Sequence, residues 1–199
     1  MKSTRQVMDS AAASTNGFAA GVTGAAFALT ATSISDNLAH LVTIKNNTAN
    51  DHSAKTIAIV GTDENGNAQS ENIAAPGISA TVTSTKYFKT LTSVTPSSTI
   101  GVDTFDIGWA AGSRGPWFQP DMNGGGEFNV GIGCTVVSGS PNFGLVVSYD
   151  RVSWHAHGTI AGKTASFGGQ QATPVLAMAV QFTAAGAVTA TFLQPNGRD

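Results

Sequence analysis

His40-Leu41-Val42-Thr43-Ile44-Lys45-Asn46 and, after a polar loop, Lys55-Thr56-Ile57-Ala58-Ile59-Val60-Gly61 decide the fold class. Val42 and Ile44 alternate with Thr43 and Lys45, and Ile57 and Ile59 repeat the pattern in the second run. Successive side chains of an extended chain point to opposite sides, so each run is apolar on one face. Both runs are β-branched and bounded by Asn, Asp and Gly, the signature of half-buried strands. Asn46-Asn47-Thr48-Ala49-Asn50-Asp51-His52 between them has the composition of a loop.

Outward from this pair, the same signals continue. Asn65-Gly66 tolerates positive φ at both positions, as a type I′ turn requires, and predicts a hairpin with arms 57–62 and 69–73. Further strands are expected at 80–84, 87–94 and 104–109. Within 87–94, Phe88, Thr90 and Thr92 alternate with Lys89, Leu91 and Ser93. Strands resume at 128–137, 143–150, 175–183 and 187–194, the last two read as a hairpin around Ala184-Ala185-Gly186. No segment sustains a 3.6-residue apolar period, and the Ala-rich stretch 25–31 contains Thr and reads as extended. These signals predict an all-β fold: an antiparallel β-sandwich, jelly-roll or Ig-like, as two modules in tandem or one long sandwich. The expected divisions are a loose N-terminal arm at 1–16, a first module at 17–111, a Gly/Pro-rich linker at 112–127 and a second module at 128–199. The arm is expected to extend onto a neighbouring subunit and to order there.

Composition narrows the function classes. Charged residues are 11% of 199, and hydrophobic residues are 41%. Ordinary soluble domains carry about 25% charge. There is apolar material for a core, but a surface this poor in charge is weakly protected against association. Much of it is therefore expected to be covered by neighbours. Lys plus Arg total 10 against 12 Asp plus Glu, for a net charge of −2, without a basic run. Direct nucleic-acid binding is not expected, because phosphate neutralisation supplies most of that affinity. Met1-Lys2-Ser3-Thr4-Arg5-Gln6 is not followed by an apolar signal region, and no run approaches a membrane span. Cys134 is the single cysteine, so no intrachain disulfide forms, and it reads as a small buried hydrophobe.

Two stretches resemble tailed-phage virion proteins. One is Val60-Gly61-Thr62-Asp63-Glu64-Asn65-Gly66-Asn67 with Glu71-Asn72-Ile73 and Lys86-Tyr87-Phe88-Lys89-Thr90-Leu91-Thr92-Ser93-Val94-Thr95. The other is Pro174-Val175-Leu176-Ala177-Met178-Ala179-Val180 with Gly186-Ala187-Val188-Thr189-Ala190-Thr191-Phe192-Leu193-Gln194. They are similar to small β-sandwich structural proteins of phage heads and tails: decoration or cement proteins, head fibres and tail-associated adaptors. The resemblance implies a non-enzymatic subunit with no catalytic residues and no cofactor. It implies a homo-oligomer that contacts major capsid or tail proteins, without direct nucleic acid or membrane. It also implies residence in the virion after synthesis in the host bacterial cytoplasm. The leading expectation is a capsid decoration, cement or head-fibre-base subunit; the alternative is a receptor- or carbohydrate-binding module, or an adaptor, of the tail or fibre.

Several residues invite chemical readings. His155 and His157 are two apart, so on a strand both face one way and could reach one metal with Asp150 nearby; a closed zinc site needs four ligands and no further ligand cluster is evident, so they read as surface or interface histidines. Asp63-Glu64-Asn65-Gly66-Asn67 is similar to the start of a calcium loop, yet lies between strands rather than helices. Asn123-Gly124-Gly125-Gly126 lacks the Lys-Ser/Thr of a phosphate loop and reads as a turn. No serine sits in Gly-x-Ser-x-Gly. Trp109 ends a strand and is expected in packing. Arg114, Trp117 and Phe118 in the Gly/Pro-rich linker, together with Trp154, are the expected interface residues, since Trp and Arg dominate interface energetics.

Overall fold

The computed structural model describes residues 1–122 and 128–195. Among the described residues all regular structure is strand, in antiparallel pairs. The chain divides into two compact units: one is Ala11–Ser113, and the other combines Met1–Ser10 with Arg114–Asp199. The first unit is therefore inserted into the second. This differs from modules in tandem.

In the inserted unit, β2 (Ser14–Val22) pairs β8 (Phe105–Arg114), β8 neighbours β3 (Ala39–Asn46), and β3 pairs β6 (Thr81–Phe88). A second sheet has the order β5 (Ala68–Ala74), β4 (Thr56–Thr62), β7 (Thr90–Pro96). Val42 and Ile44 from the first sheet and Ile57, Ile59, Leu91 and Val94 from the second share one core with Phe18, Phe88, Phe105 and Ile107. Each sheet thus buries one face against the other, as the period-two pattern requires.

Two local expectations change. Residues 87–94 are not one strand. The chain leaves β6 at Phe88, turns at Lys89 and enters β7 in the other sheet, so Phe88 and Leu91 are both buried although their parity differs. The 63–67 turn is not type I′ either, because Gly66 alone has positive φ, +88. The Asp63 carboxylate accepts from the backbone N–H of Asn65 and Asn67 and from the Asn67 amide, each at 2.9 Å. A carboxylate spent on its own turn accounts for the Asx-rich run.

The other unit is organised by a long ribbon. β9 (Val130–Ser148) and β12 (Ala177–Gln194) pair along nearly their whole lengths. β10 (His155–Ala156) and β11 (Phe167–Gln171) pair β9, while β1 (Lys2–Ser10) pairs β12. Runs 128–137 and 143–150 are thus mostly one strand. Runs 175–183 and 187–194 are consecutive parts of β12 and do not form a hairpin with each other. Register shifts at Phe182/Ala184, Ala184/Gly186 and Ala187/Val188 bend the ribbon without reversing it.

Residues 1–16 are not a separate arm. Residues 2–10 form β1, and β2 begins at Ser14. In the expected linker, Gly112, Ser113 and Arg114 finish β8, and Phe118 bridges Met178 of β12. The Asn123-Gly124-Gly125-Gly126 turn lies outside the described residues.

Candidate interface

Gly115 donates its N–H to Val180 O at 2.9 Å, and Phe118 and Met178 exchange backbone bonds at 2.7 and 2.9 Å. A Cβ on Gly115 would sit 2.4 Å from Met8 Sδ, so the thioether would have to shift to admit one. This anchoring turns Phe118 inward, where it is 2% exposed and stacks on Phe192 at 5.1 Å. Trp117, its neighbour, remains half-buried.

A second loop meets it. Asp150 accepts backbone N–H groups from Val152 at 2.8 Å and Ser153 at 2.6 Å, and the Ser148 hydroxyl at 3.1 Å. Led by the Ser153 and Val152 N–H groups, these bonds hold its carboxyl far below the usual range. The same turn holds Arg151 at φ +62, an uncommon conformation for a side chain of that size. The loop then delivers Trp154, whose ring meets Trp117 edge to face at 6.0 Å and 83°.

Two cations complete the cluster. The Arg114 guanidinium lies 4.8 Å from the Trp154 ring centroid, and that of Arg151 lies 6.0 Å from the Trp117 ring. Arg114 also donates to Gln181 Oε1 at 3.3 Å. The order is Arg151, Trp117, Trp154, Arg114: a ladder of cation–π and edge-to-face contacts. Val152 is 81% exposed and Tyr149 54% exposed on the same loop.

Three of the four expected interface residues, Arg114, Trp117 and Trp154, come together. Phe118 does not; it is core. Arg151 and Tyr149 escaped the sequence reading, although Asp150 two residues before Val152 is the signal of an Asx turn that would present them.

The other candidates are placed as follows. His155 is exposed on β10, 6.1 Å from the Tyr149 ring, and His157 Nδ1 accepts from Thr159. Among the described residues no three His, Cys, Asp or Glu side chains are grouped to hold a metal ion. Cys134 is buried, and desolvation pushes its thiol up to about 11. Trp109 packs edge-on against Phe18 at 5.1 Å.

Two acid–histidine pairs in the inserted unit were not foreseen. His40 Nε2 lies 2.7 Å from Asp36 Oδ2, and its Nδ1 faces the Ala110 carbonyl at 3.2 Å. His52 Nε2 lies 2.7 Å from Asp103, which also accepts from Asn50. A triad needs a nucleophile on the second ring nitrogen. His40 has a carbonyl there, and His52 Nδ1 has no hydrogen-bond partner among the described residues. The first pair pins a loop to β3, and the second ties two loops to each other.

Fold and site together define an all-β protein of two antiparallel units that carries a tryptophan–arginine cluster on one of them. No family model, curated protein or solved structure matches the chain.

Proposed function

We propose that the chain is a non-enzymatic structural subunit of a tailed-phage particle, a capsid decoration, cement or head-fibre-base protein, that works by packing beside copies of itself and other virion proteins. The observation that carries the reading is the Trp117–Trp154–Arg114–Arg151 cluster beside the exposed Val152 and Tyr149. Trp, Tyr and Arg are the residues that concentrate binding energy at protein interfaces. The Asp150 turn holds the loop in place before any partner arrives, which lowers the ordering cost of association. Low overall charge supports the same reading. Repetition on a symmetric particle would convert modest contacts into high avidity.

A second reading, a receptor- or carbohydrate-binding module of a tail or fibre, is favoured by the same pair of part-exposed indoles, since aromatic faces also suit sugar rings. The experiment is to image particles of the producing phage and to compare incorporation of the wild-type chain with that of Trp154→Ala. Head-associated density that is depleted in the variant supports the first reading. Glycan or cell binding by the isolated protein, with no affinity for heads, supports the second and removes the first.

A further inference from the structure

We infer that β1 is an exchangeable strand: Met1–Ser10 of one copy can occupy the edge of β12 in a second copy in place of that copy's own β1. The geometry of the bound state is already present within one chain. β1 pairs β12 antiparallel from Lys2↔Gln194 to Ser10↔Gly186 without a register shift. A second copy offers the identical segment, so no new complementarity has to be invented.

Three features make this strand separable. It is cut off in sequence from the rest of its unit, which resumes only at Arg114, after the whole of Ala11–Ser113. Residues 114–199 therefore present the β12 edge to an incoming strand, from whichever chain supplies it. Beside the backbone pairing it is tied by Lys2 Nζ donating to Gln119 O at 2.7 Å and Gln6 Nε2 donating to Pro116 O at 2.9 Å, bonds that the same strand of a second copy would make equally. Met8 and Ser10 are buried, whereas Lys2, Thr4 and Gln6 are half-buried polar residues, and Gln6 Oε1 is a buried oxygen with no partner among the described residues. Residues 11–13 then connect β1 to β2 as a non-strand segment at which the path can diverge.

The pairing is the same in closed and exchanged forms, so concentration chooses between them. The strand of the same chain competes at a fixed effective concentration, whereas that of a second copy gains as protein concentration rises. Dilute chains close on themselves, while crowded chains exchange. The exchange needs nothing from the Trp–Arg cluster and stands whether or not the proposed virion role holds.

The test uses two single variants of the full chain. Val7 and Thr189 face each other across the pair, with Val7 65% exposed, so cysteines at these positions sit on the outer face. Cys134 is buried with its thiol pushed up to about 11, which leaves it a poor competitor. Val7→Cys and Thr189→Cys chains are unfolded together, refolded at rising protein concentration and oxidised. The expected result is a covalent dimer whose digest carries a link between positions 7 and 189 and whose share rises with concentration. If the Val7→Cys/Thr189→Cys double variant closes within one chain at every concentration while the mixed single variants give no 7–189 link, exchange is overturned.

Discussion

A Cβ on Gly17 would lie 2.0 Å from Cζ3 of Trp109. The indole cannot retreat easily, because its Nε1–H is donated to Ala12 O at 2.8 Å and its ring is held against Phe18. Gly17→Ala should therefore lower stability by roughly 1–3 kcal/mol, the usual range for overpacking. Denaturant titration would measure it, and the loss should shrink when Trp109→Leu is added. At Gly133, where no atom lies within 4 Å of an added Cβ and φ is not positive, Ala should be neutral or better. Titration is also a residue-scale matter. Burial raises the Asp36 carboxyl, but the His40 hydrogen bond and the Ala11 and Leu38 N–H groups outweigh it and hold it below its ordinary 3.8. A depressed carboxyl contributes stability that is complete above the unfolded value and lost as pH falls through the folded one. Unfolding free energy of the wild type should thus decline below about pH 4 more steeply than that of Asp36→Asn. Parallel curves would contradict the role of this pair.

At the scale of elements, the bend in the β9–β12 ribbon makes the clearest demand. Gly186 has φ +144, and a Cβ there would meet Pro141 Cδ at 2.8 Å. Gly186→Ala combines backbone strain with that clash and should cost about 2–4 kcal/mol. Thermal or denaturant unfolding would show it, and an unchanged midpoint would mean that the bend does not depend on this residue. The same bend marks where sequence reading stopped. Val42, Ile44, Ile57 and Ile59 were legible as strands because one face of each run is buried and the other is not. Ala184-Ala185-Gly186 was read as a reversal because bends and turns draw on the same small residues. What separates them is the partner strand, which here bends at Gly139–Asn142 and keeps pairing. β1 was missed for another reason: Lys2, Thr4 and Gln6 face inward with little apolar content, so the strand forms through backbone bonds that leave no hydrophobic period. The interface cluster was half legible. Trp117, Trp154 and Arg114 stood out by residue type, but the opposite directions of Trp117 and Phe118 follow from long-range backbone bonds of Gly115 and Phe118 to Val180 and Met178.

Over the whole molecule, each unit buries a core of its own, and the chain carries few charges, 11% of its residues. Many carboxylates are used internally: Asp36 and Asp103 on histidines, Asp63 and Asp150 on turns, Glu71 on the backbone of Thr85 and Lys86. Glu71 in this way blunts the edge of β6, a device against unwanted strand pairing. In the Trp–Arg cluster Trp117 and Trp154 are half-buried beside the exposed Val152 and Tyr149, and its full energetic value is expected only when a neighbour desolvates it. Sedimentation velocity across a wide range of protein concentration, with the wild type beside a Trp117→Ala/Trp154→Ala variant, tests this most directly. The account predicts association of the wild type that strengthens with concentration and is weakened in the variant by about 2–4 kcal/mol, with the variant still folded. A wild type that remains an ideal monomer at the highest concentrations, indistinguishable from the variant, would contradict it.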